Sequence, residues 1–194
     1  MKRHLPFALT TLRLLLGPVA LLCALSGVTR LVYLPIVVTG TLSDIFDGIL
    51  ARRYGVSTAW LRRYDSITDV IYYLFILATA FMLCRPVILA NIFPLSLLLA
   101  SEVIVVLVSY ARFGKYPATH SYLAKFYGLC LLAAVVVLLV FNASSWAIIA
   151  LTAVALVTNA EIFAIQLMAK SQPVDVPGIL AIYKRRARGQ VPSA

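Results

Sequence analysis

The amino-acid sequence predicts an all-α polytopic membrane protein with six transmembrane helices and both termini in the cytoplasm. Composition, six long apolar stretches and the placement of the basic residues support this prediction. Of 194 residues, 62% are hydrophobic and only 12% are charged, and the mean hydropathy is +0.97. Because a soluble domain of this size would expose too much apolar surface, the composition favours a membrane protein.

Six apolar stretches are each long enough to cross the hydrocarbon core as a helix, which needs about 20 residues. They are residues 9–28, 31–51, 66–83, 87–110, 122–141 and 146–169. With no internal repeat visible, we expect a single membrane domain over residues 1–194. Residues 170–194 form a basic tail that either lies on an anionic lipid surface or is disordered.

The basic residues predict the orientation. All of the 17 lysines and arginines except Arg30 and Arg85 lie near the N-terminus, in the 52–65 loop, in the 111–125 loop or in the tail. Since loops rich in these residues stay in the cytoplasm, both termini are expected there, in agreement with an even number of spans. The net charge of +10 lacks the basic stripe with interleaved aromatic residues that nucleic-acid binding needs, so membrane lipids and anionic substrates are the expected partners.

Four of the seven acidic residues form two pairs at the expected cytoplasmic ends of spans. On a helix, Asp44 and Asp47 lie about 60° apart, and Asp65 and Asp69 about 40° apart, so each pair shares one face. If the chain reverses between the pairs, four carboxylates face each other and repel unless cations lie between them. Carboxylate oxygens are the ligands that Mg²⁺ and Mn²⁺ prefer, so the pattern predicts a site for two divalent ions.

The spacing around these aspartates resembles the signature of the CDP-alcohol phosphotransferase (CDP-alcohol phosphatidyltransferase) family. That signature is Asp, two residues, Asp-Gly, two residues, Ala-Arg, eight residues, Gly, three residues, Asp, three residues, Asp. The chain matches it at Asp44, Asp47, Gly48, Ala51, Arg52, Asp65 and Asp69. It departs at Leu61, where the family has glycine, and the leucine occupies space that the family leaves empty beside the nucleotide.

The resemblance implies a metal-dependent transferase of phospholipid biosynthesis, located in the cell (inner) membrane with its active site at the cytoplasmic face. It would move a phosphatidyl group from CDP-diacylglycerol to an alcohol and release CMP. The implied metal ligands for two Mg²⁺ or Mn²⁺ ions are Asp44, Asp47, Asp65 and Asp69. Asp69 is also the implied catalytic base for the acceptor hydroxyl.

The family also implies a binding site for the CDP donor. Gly48 and Ala51 would keep the helix surface low for the cytidine part, and Arg52 would contact a donor phosphate. The resemblance further suggests a homodimer.

The first span is similar to that of bacterial phosphatidylglycerophosphate synthases, which carry Pro, Thr, Arg and Pro as at Pro6, Thr10, Arg13 and Pro18. This makes glycerol 3-phosphate the expected acceptor. Because the middle loop lacks the Gly-Lys and Lys-Thr pattern of those synthases, inositol phosphate, another polyol phosphate and serine remain alternatives. For Arg13 itself, the sequence allows either snorkelling to the interface or contact with an acidic group or a substrate phosphate.

Basic side chains of the middle loop are the expected binding site for the acceptor phosphate. They are Arg112, Lys115 and Lys125. Arginine suits bidentate binding of phosphate, although these cations are equally compatible with a role in topology alone. Glu102 and Glu161 lie inside spans, where they would line an acceptor pocket, pair with Arg13 or form hydrogen bonds between helices.

Two non-enzymatic functions are compatible with the same carboxylates. The first is a divalent-cation transporter, although transport sites usually lie near the bilayer midplane and these acids lie near one surface. The second is a scaffold without catalysis, in which Leu61 blocks the nucleotide. Retention of all four aspartates argues against the scaffold.

Overall fold

The computed structural model describes residues 4–56, 58–119, 121–142, 145–169, 171–174 and 176–187. Their α-helices are α1 (Leu5–Leu25), α2 (Tyr33–Arg53), α3 (Ala59–Leu83), α4 (Arg85–Ala90), α5 (Ile92–Phe113), α6 (Tyr122–Phe141), α7 (Trp146–Met168) and α8 (Ile179–Ala187). A 3₁₀ turn at Arg30–Val32 precedes α2. Within the described ranges, the only β pairing is an isolated bridge between Ala118 and Val174.

Among the described residues, six helices are long and apolar enough to cross a membrane, which confirms the predicted all-α polytopic fold. These segments are Leu5–Leu25, Arg30–Arg53, Arg63–Leu83, Ile92–Phe113, Tyr122–Phe141 and Trp146–Met168. The cytoplasmic location of the termini stays a prediction.

Two of the expected span boundaries were wrong for identifiable reasons. The first helix begins at Leu5 rather than residue 9, because Pro6 fits the first turn, where a backbone N–H needs no helical partner. The expected span 87–110 is interrupted at Asn91. Pro94 cannot donate to the carbonyl of Ala90, which weakens a continuous helix at this point, and α5 starts anew at Ile92.

The chain divides into two compact units. The first consists of the described residues within Met1–Leu89 and Val135–Ser144, and the second of those within Ala90–Ala134 and Ser145–Ala194. The expectation of a single domain over residues 1–194 stays a prediction.

In the first unit, α1 packs against both α2 and α3. Its buried positions recur every three or four residues and are Pro6, Thr10, Arg13, Gly17 and Ala20. This spacing places them in one stripe along the helix. A Cβ at Gly17 would lie 3.1 Å from the Cβ of Phe75, so glycine allows α3 to approach α1 closely.

A second glycine sets the distance between α2 and α3. A Cβ at Gly40 would overlap the hydroxyl oxygen of Tyr72 and lie 2.6 Å from its Cζ atom. Tyr72 is almost fully buried and its ring is rigid, so it has little room to move aside.

The connection between α2 and α3 is kept short by a cap at each end. Gly55 has a φ of +65°, and it donates to the carbonyl of Arg52 while Val56 donates to that of Ala51. This is the Schellman pattern that ends helices at a left-handed residue. At the start of α3, the Thr58 hydroxyl accepts the N–H of Leu61 at 3.1 Å, a typical N-cap. The short connection brings the end of α2 beside the start of α3.

At the opposite end of these helices, Arg30 satisfies carbonyls that helix termini leave without partners. Its guanidinium donates to the carbonyl oxygen of Leu83 at 2.8 Å and to that of Leu139 at 3.3 Å. These residues belong to the last turns of α3 and α6, so one side chain joins the ends of two helices.

In the second unit, α5 packs on α7 around Leu98, Leu151 and Ala155. Hydrogen bonds reinforce this pair of helices: Asn159 donates to the Ser101 hydroxyl at 2.9 Å. Such bonds between helices add to packing where lipid removes the hydrophobic driving force.

The segment after α7 packs against the same unit. Val176 and Ile182 are buried with Ile165 and Ala169, and the Glu161 carboxylate accepts the N–H of Ile179 at 3.4 Å. Of the roles considered for Glu161, the described contact is therefore a structural one, at the start of α8. Lys170, Asp175 and residues 188–194 lie outside the described residues, as do the side chains of residues 184–187, so the membrane contact expected for the basic tail stays a prediction.

We predict that Gly40→Ala lowers the stability of the first unit. The added methyl would displace the Tyr72 ring, and such overpacking costs about 1–3 kcal/mol. Gly128→Ala is the matched control, because no atom lies within 4 Å of a Cβ placed there. Thermal unfolding in detergent micelles should show a lower midpoint for Gly40→Ala only, and equal midpoints for both variants would contradict the close contact.

Candidate metal centre

One buried arginine lies among all four predicted metal ligands. Arg13 is only 1% exposed. Its Nη1 atom forms an ion pair with Asp44, and its Nη2 atom forms one with Asp65. The same Nη2 atom lies 2.9 Å from Oδ1 of Asp69 and 3.4 Å from Oδ2 of Asp47. The structure thus brings together the four carboxylates that the sequence predicted would face each other.

This arrangement decides between the two interpretations of Arg13. A side chain that snorkels would place its guanidinium in water, whereas this one is buried and bound to carboxylates. Snorkelling is therefore wrong, and contact with acidic groups is confirmed.

The four carboxylates differ in their access to solvent. The side chain of Asp47 is 5% exposed, whereas those of Asp44, Asp65 and Asp69 are 47%, 33% and 35% exposed. Asp47 therefore forms the closed side of the cluster and Asp44 the most open one. A ligand would reach the carboxylates from the side of Asp44.

Thr10 supports the buried carboxylate, a role that the sequence did not reveal. Its hydroxyl lies 2.9 Å from Oδ2 of Asp47 and 3.0 Å from the carbonyl oxygen of Pro6. A hydroxyl has one proton, and donation to the charged carboxylate is the stronger bond. The available signal was its position three residues before Arg13, on the same face of α1.

The residues fit a divalent cation. One carboxylate oxygen from each of Asp44, Asp47 and Asp65 lies within 4.8 Å of the other two. Oxygens around a Mg²⁺ ion, bound at about 2.1 Å, lie about 3–4 Å apart, so a small contraction of the cluster would suffice. Oδ1 of Asp69 is ion-paired with Arg13 but is buried without a partner of hydrogen-bond geometry, which makes it a candidate for a further ligand or a proton acceptor.

The residues expected to bind the donor lie on α2 beside this cluster. A Cβ at Gly48 would lie 3.7 Å from Nη1 of Arg52, so the exposed arginine extends back along the helix over the glycine. Ala51 is buried. Leu61, where the family signature has glycine, is half-buried in the first turn of α3. The roles of these residues toward a nucleotide stay predictions.

An aromatic stack links α1 to the start of α3. The rings of Trp60 and Tyr64 are parallel within 2° at 5.5 Å, and Phe7 lies 5.2 Å from the Tyr64 ring. Thr11 and Tyr64 also share a hydrogen bond of 3.1 Å between hydroxyls. Because Tyr64 precedes Asp65, the stack holds this aspartate near α1. Sequence analysis missed it, although aromatic residues four apart near a membrane interface were a usable signal.

The three residues expected to bind the acceptor phosphate belong to the second unit and are all exposed. Arg112 donates to the carbonyl of Ala169 at 3.2 Å, and the Lys125 ammonium lies 5.5 Å from the centre of the Tyr122 ring. All three side chains are positively charged, and none of them can accept a hydrogen bond from another. Their role toward a phosphate stays a prediction.

The membrane helices and the clustered carboxylates define an integral membrane protein with a candidate metal centre, and comparison with known families agrees. A sequence model of the CDP-alcohol phosphatidyltransferase family matches residues 3–159. The match covers most of the chain, including α1–α3 and every aspartate of the cluster, and the chain belongs to this family. No curated protein and no solved structure gave a significant match. Membership supports phosphatidyl transfer from a CDP-alcohol and, as the family generally needs divalent metals, agrees with the carboxylate cluster.

We predict that Thr10→Val weakens Mn²⁺ binding about tenfold, since groups that orient a metal ligand typically contribute this much or more. The variant keeps the shape of the side chain and removes the hydroxyl from Asp47. Thr41→Val is the matched control, because the Thr41 hydroxyl bonds only to the carbonyl of Val37 in its own helix. Titration followed by electron paramagnetic resonance measures both affinities, and equal values would exclude a supporting role for Thr10.

Proposed function

We propose that the protein moves a phosphatidyl group from CDP-diacylglycerol to glycerol 3-phosphate and releases CMP, using two Mg²⁺ or Mn²⁺ ions. The observation that carries this proposal is the convergence of Asp44, Asp47, Asp65 and Asp69 in a chain of this family. The family supports the class of reaction, and similarity of the first span to phosphatidylglycerophosphate synthases supports the acceptor.

The place of the carboxylates along the helices suits an amphiphilic donor. Asp44 and Asp47 lie in the second half of α2, and Asp65 and Asp69 lie in the first half of α3. A donor whose acyl chains lie in the bilayer presents its pyrophosphate near the membrane surface. We place this surface on the cytoplasmic side of the inner membrane, because the neighbouring loop is rich in arginine.

In the proposed mechanism, Asp44, Asp47 and Asp65 hold the divalent ions. Once bound, these ions would neutralise the donor pyrophosphate and stabilise the departing CMP. Thr10 keeps Asp47 oriented. Asp69 accepts the proton of the attacking hydroxyl; its buried Oδ1 atom lies 2.9 Å from Nη2 of Arg13 but has no partner with hydrogen-bond geometry.

Recognition of the two substrates is assigned to different residues. Arg52 is exposed and donates to a donor phosphate, while Gly48, over which the arginine extends, keeps the helix surface low for the cytidine part. Arg112, Lys115 and Lys125 attract the acceptor phosphate.

We predict that Asp69→Asn abolishes metal-dependent CMP release by purified protein in micelles containing CDP-diacylglycerol. The amide cannot accept the proton of the acceptor hydroxyl, and loss of a general base typically costs about 10²–10⁴-fold in rate. An acceptor panel of glycerol 3-phosphate, inositol phosphate and serine identifies the product in the same assay.

The unfolding midpoint of Asp69→Asn serves as the control for folding. Undiminished release by the folded variant would remove Asp69 from the mechanism. Absence of release by the wild-type protein with every acceptor would contradict the proposed reaction, and metal flux into proteoliposomes without lipid substrates would then favour a transporter.

We predict that neutralising the middle-loop cations raises the KM for glycerol 3-phosphate. Arg112→Gln, Lys115→Gln and Lys125→Gln each remove a charge-assisted contact worth about 1.5–3 kcal/mol, or roughly 10–100-fold in KM. The KM for CDP-diacylglycerol should not change.

Arg85→Gln is the control, because Arg85 is an exposed arginine of the expected opposite surface. If all three middle-loop variants keep the wild-type KM for glycerol 3-phosphate, these cations serve topology and not acceptor binding.

A further inference from the structure

We propose that Arg13 is the resident counter-ion of the metal-free centre and leaves the carboxylates when divalent cations bind. This inference rests on the metal dependence of the proposed function. It assigns Arg13 a role in setting metal affinity, distinct from binding of either substrate.

The hydrogen-bond capacity of the guanidinium does not match its surroundings. Nη2 carries two protons, yet it lies within ion-pair distance of three carboxylates, those of Asp47, Asp65 and Asp69. One carboxylate must therefore lack a good bond, and Oδ1 of Asp69 is indeed buried without one. Arg13 holds the carboxylates together but does not supply a good hydrogen bond to each of them.

The mismatch also affects the arginine. Its Nε atom is buried and has no hydrogen-bond partner. An unpaired buried donor costs about 1–3 kcal/mol, so the guanidinium is not in an arrangement that satisfies both it and the carboxylates. A divalent ion has no fixed donor directions and binds about six oxygen ligands, so it would be a better partner for these carboxylate oxygens than the guanidinium is.

The charges of the cluster also favour replacement of Arg13 by a divalent ion. Four carboxylates surround a single guanidinium, and no other cation pairs with them among the side chains that the structure describes. With all four carboxylates ionised, the cluster keeps an excess of negative charge, which favours ions of higher charge than arginine supplies.

Arg13 and a metal ion would compete for the same carboxylates. Asp44, Asp47 and Asp65 each contact Arg13, and the same three residues form the group whose oxygens lie close enough together to hold an ion. An ion in this position would also repel the guanidinium. Arg13 therefore keeps the carboxylates assembled before an ion arrives and lowers the affinity for that ion by the cost of its own displacement.

The test compares Arg13→Gln with Arg30→Gln, which removes the other arginine that joins helices of the first unit. Mn²⁺ affinity is measured by electron paramagnetic resonance, and thermal unfolding is measured in chelator. Both variants should unfold at lower temperature without metal. Only Arg13→Gln should bind Mn²⁺ more tightly, by about tenfold or more, because its carboxylates no longer have a competing cation. Unchanged or weaker Mn²⁺ binding by folded Arg13→Gln would overturn the proposal.

The wild-type protein provides a second test if Arg13→Gln does not fold. Arginine side-chain resonances of protein labelled with ¹⁵N-arginine are recorded with and without saturating Mg²⁺, and the Arg13 signal is identified by its loss in Arg13→Lys. When Mg²⁺ is added, the Arg13 signal should shift and its protons should exchange faster with water, while the Arg30 signal should not change. An Arg13 signal that is unchanged in the Mg²⁺-saturated protein would refute the displacement of Arg13 by metal.

Failure of the inference can be told apart from failure of the proposed function by the CMP assay. If CMP release is metal-dependent but Arg13→Gln leaves the Mn²⁺ affinity unchanged, the displacement of Arg13 by metal is refuted and the proposed function stands. If the variant binds Mn²⁺ more tightly but the wild type releases no CMP, the displacement of Arg13 is supported and the proposed function is refuted.

Discussion

The packing of the first unit depends on a counter-charge for the four aspartates of α2 and α3, which lie where these two helices meet. Carboxylates in such a small volume repel each other, and burying Asp47 without a counter-charge would be costly. Arg13 supplies the counter-charge from the middle of the buried stripe of α1. The close contacts of Gly17 with Phe75 and of Gly40 with Tyr72 then fix the three helices around it.

Much of this arrangement was predictable from the sequence, because it depends on two local patterns, the long apolar stretches and the spacing of the aspartates. Long apolar stretches determine membrane helices almost by themselves, since a backbone in lipid must satisfy its own hydrogen bonds. The spacing of the aspartates determines which carboxylates share a face, and the glycine and threonine between the pairs are typical of short connections. The family resemblance added the expected class of reaction, which the match over residues 3–159 then supported.

The remaining features depend on contacts between residues far apart in the chain, which no local pattern specifies. Whether Arg13 pointed to water or to acids was decided by the approach of α2 and α3 to α1. The aromatic stack of Phe7 with Trp60 and Tyr64 depends on the same approach. The break before α5 was in principle visible at Pro94, but hydrophobicity alone treats the two segments as one span.

The capping role of Arg30 has a consequence for the order in which the protein is made. Its partners on α3 and α6 are separated by about 55 residues of sequence, from Leu83 to Leu139. During synthesis, the ribosome must therefore complete nearly all of α6 before the first unit can close around this arginine. Until then the guanidinium lacks the Leu139 carbonyl as a partner. Nascent chains that stop after α3 should consequently be better substrates for membrane quality-control proteases than chains that extend beyond residue 141.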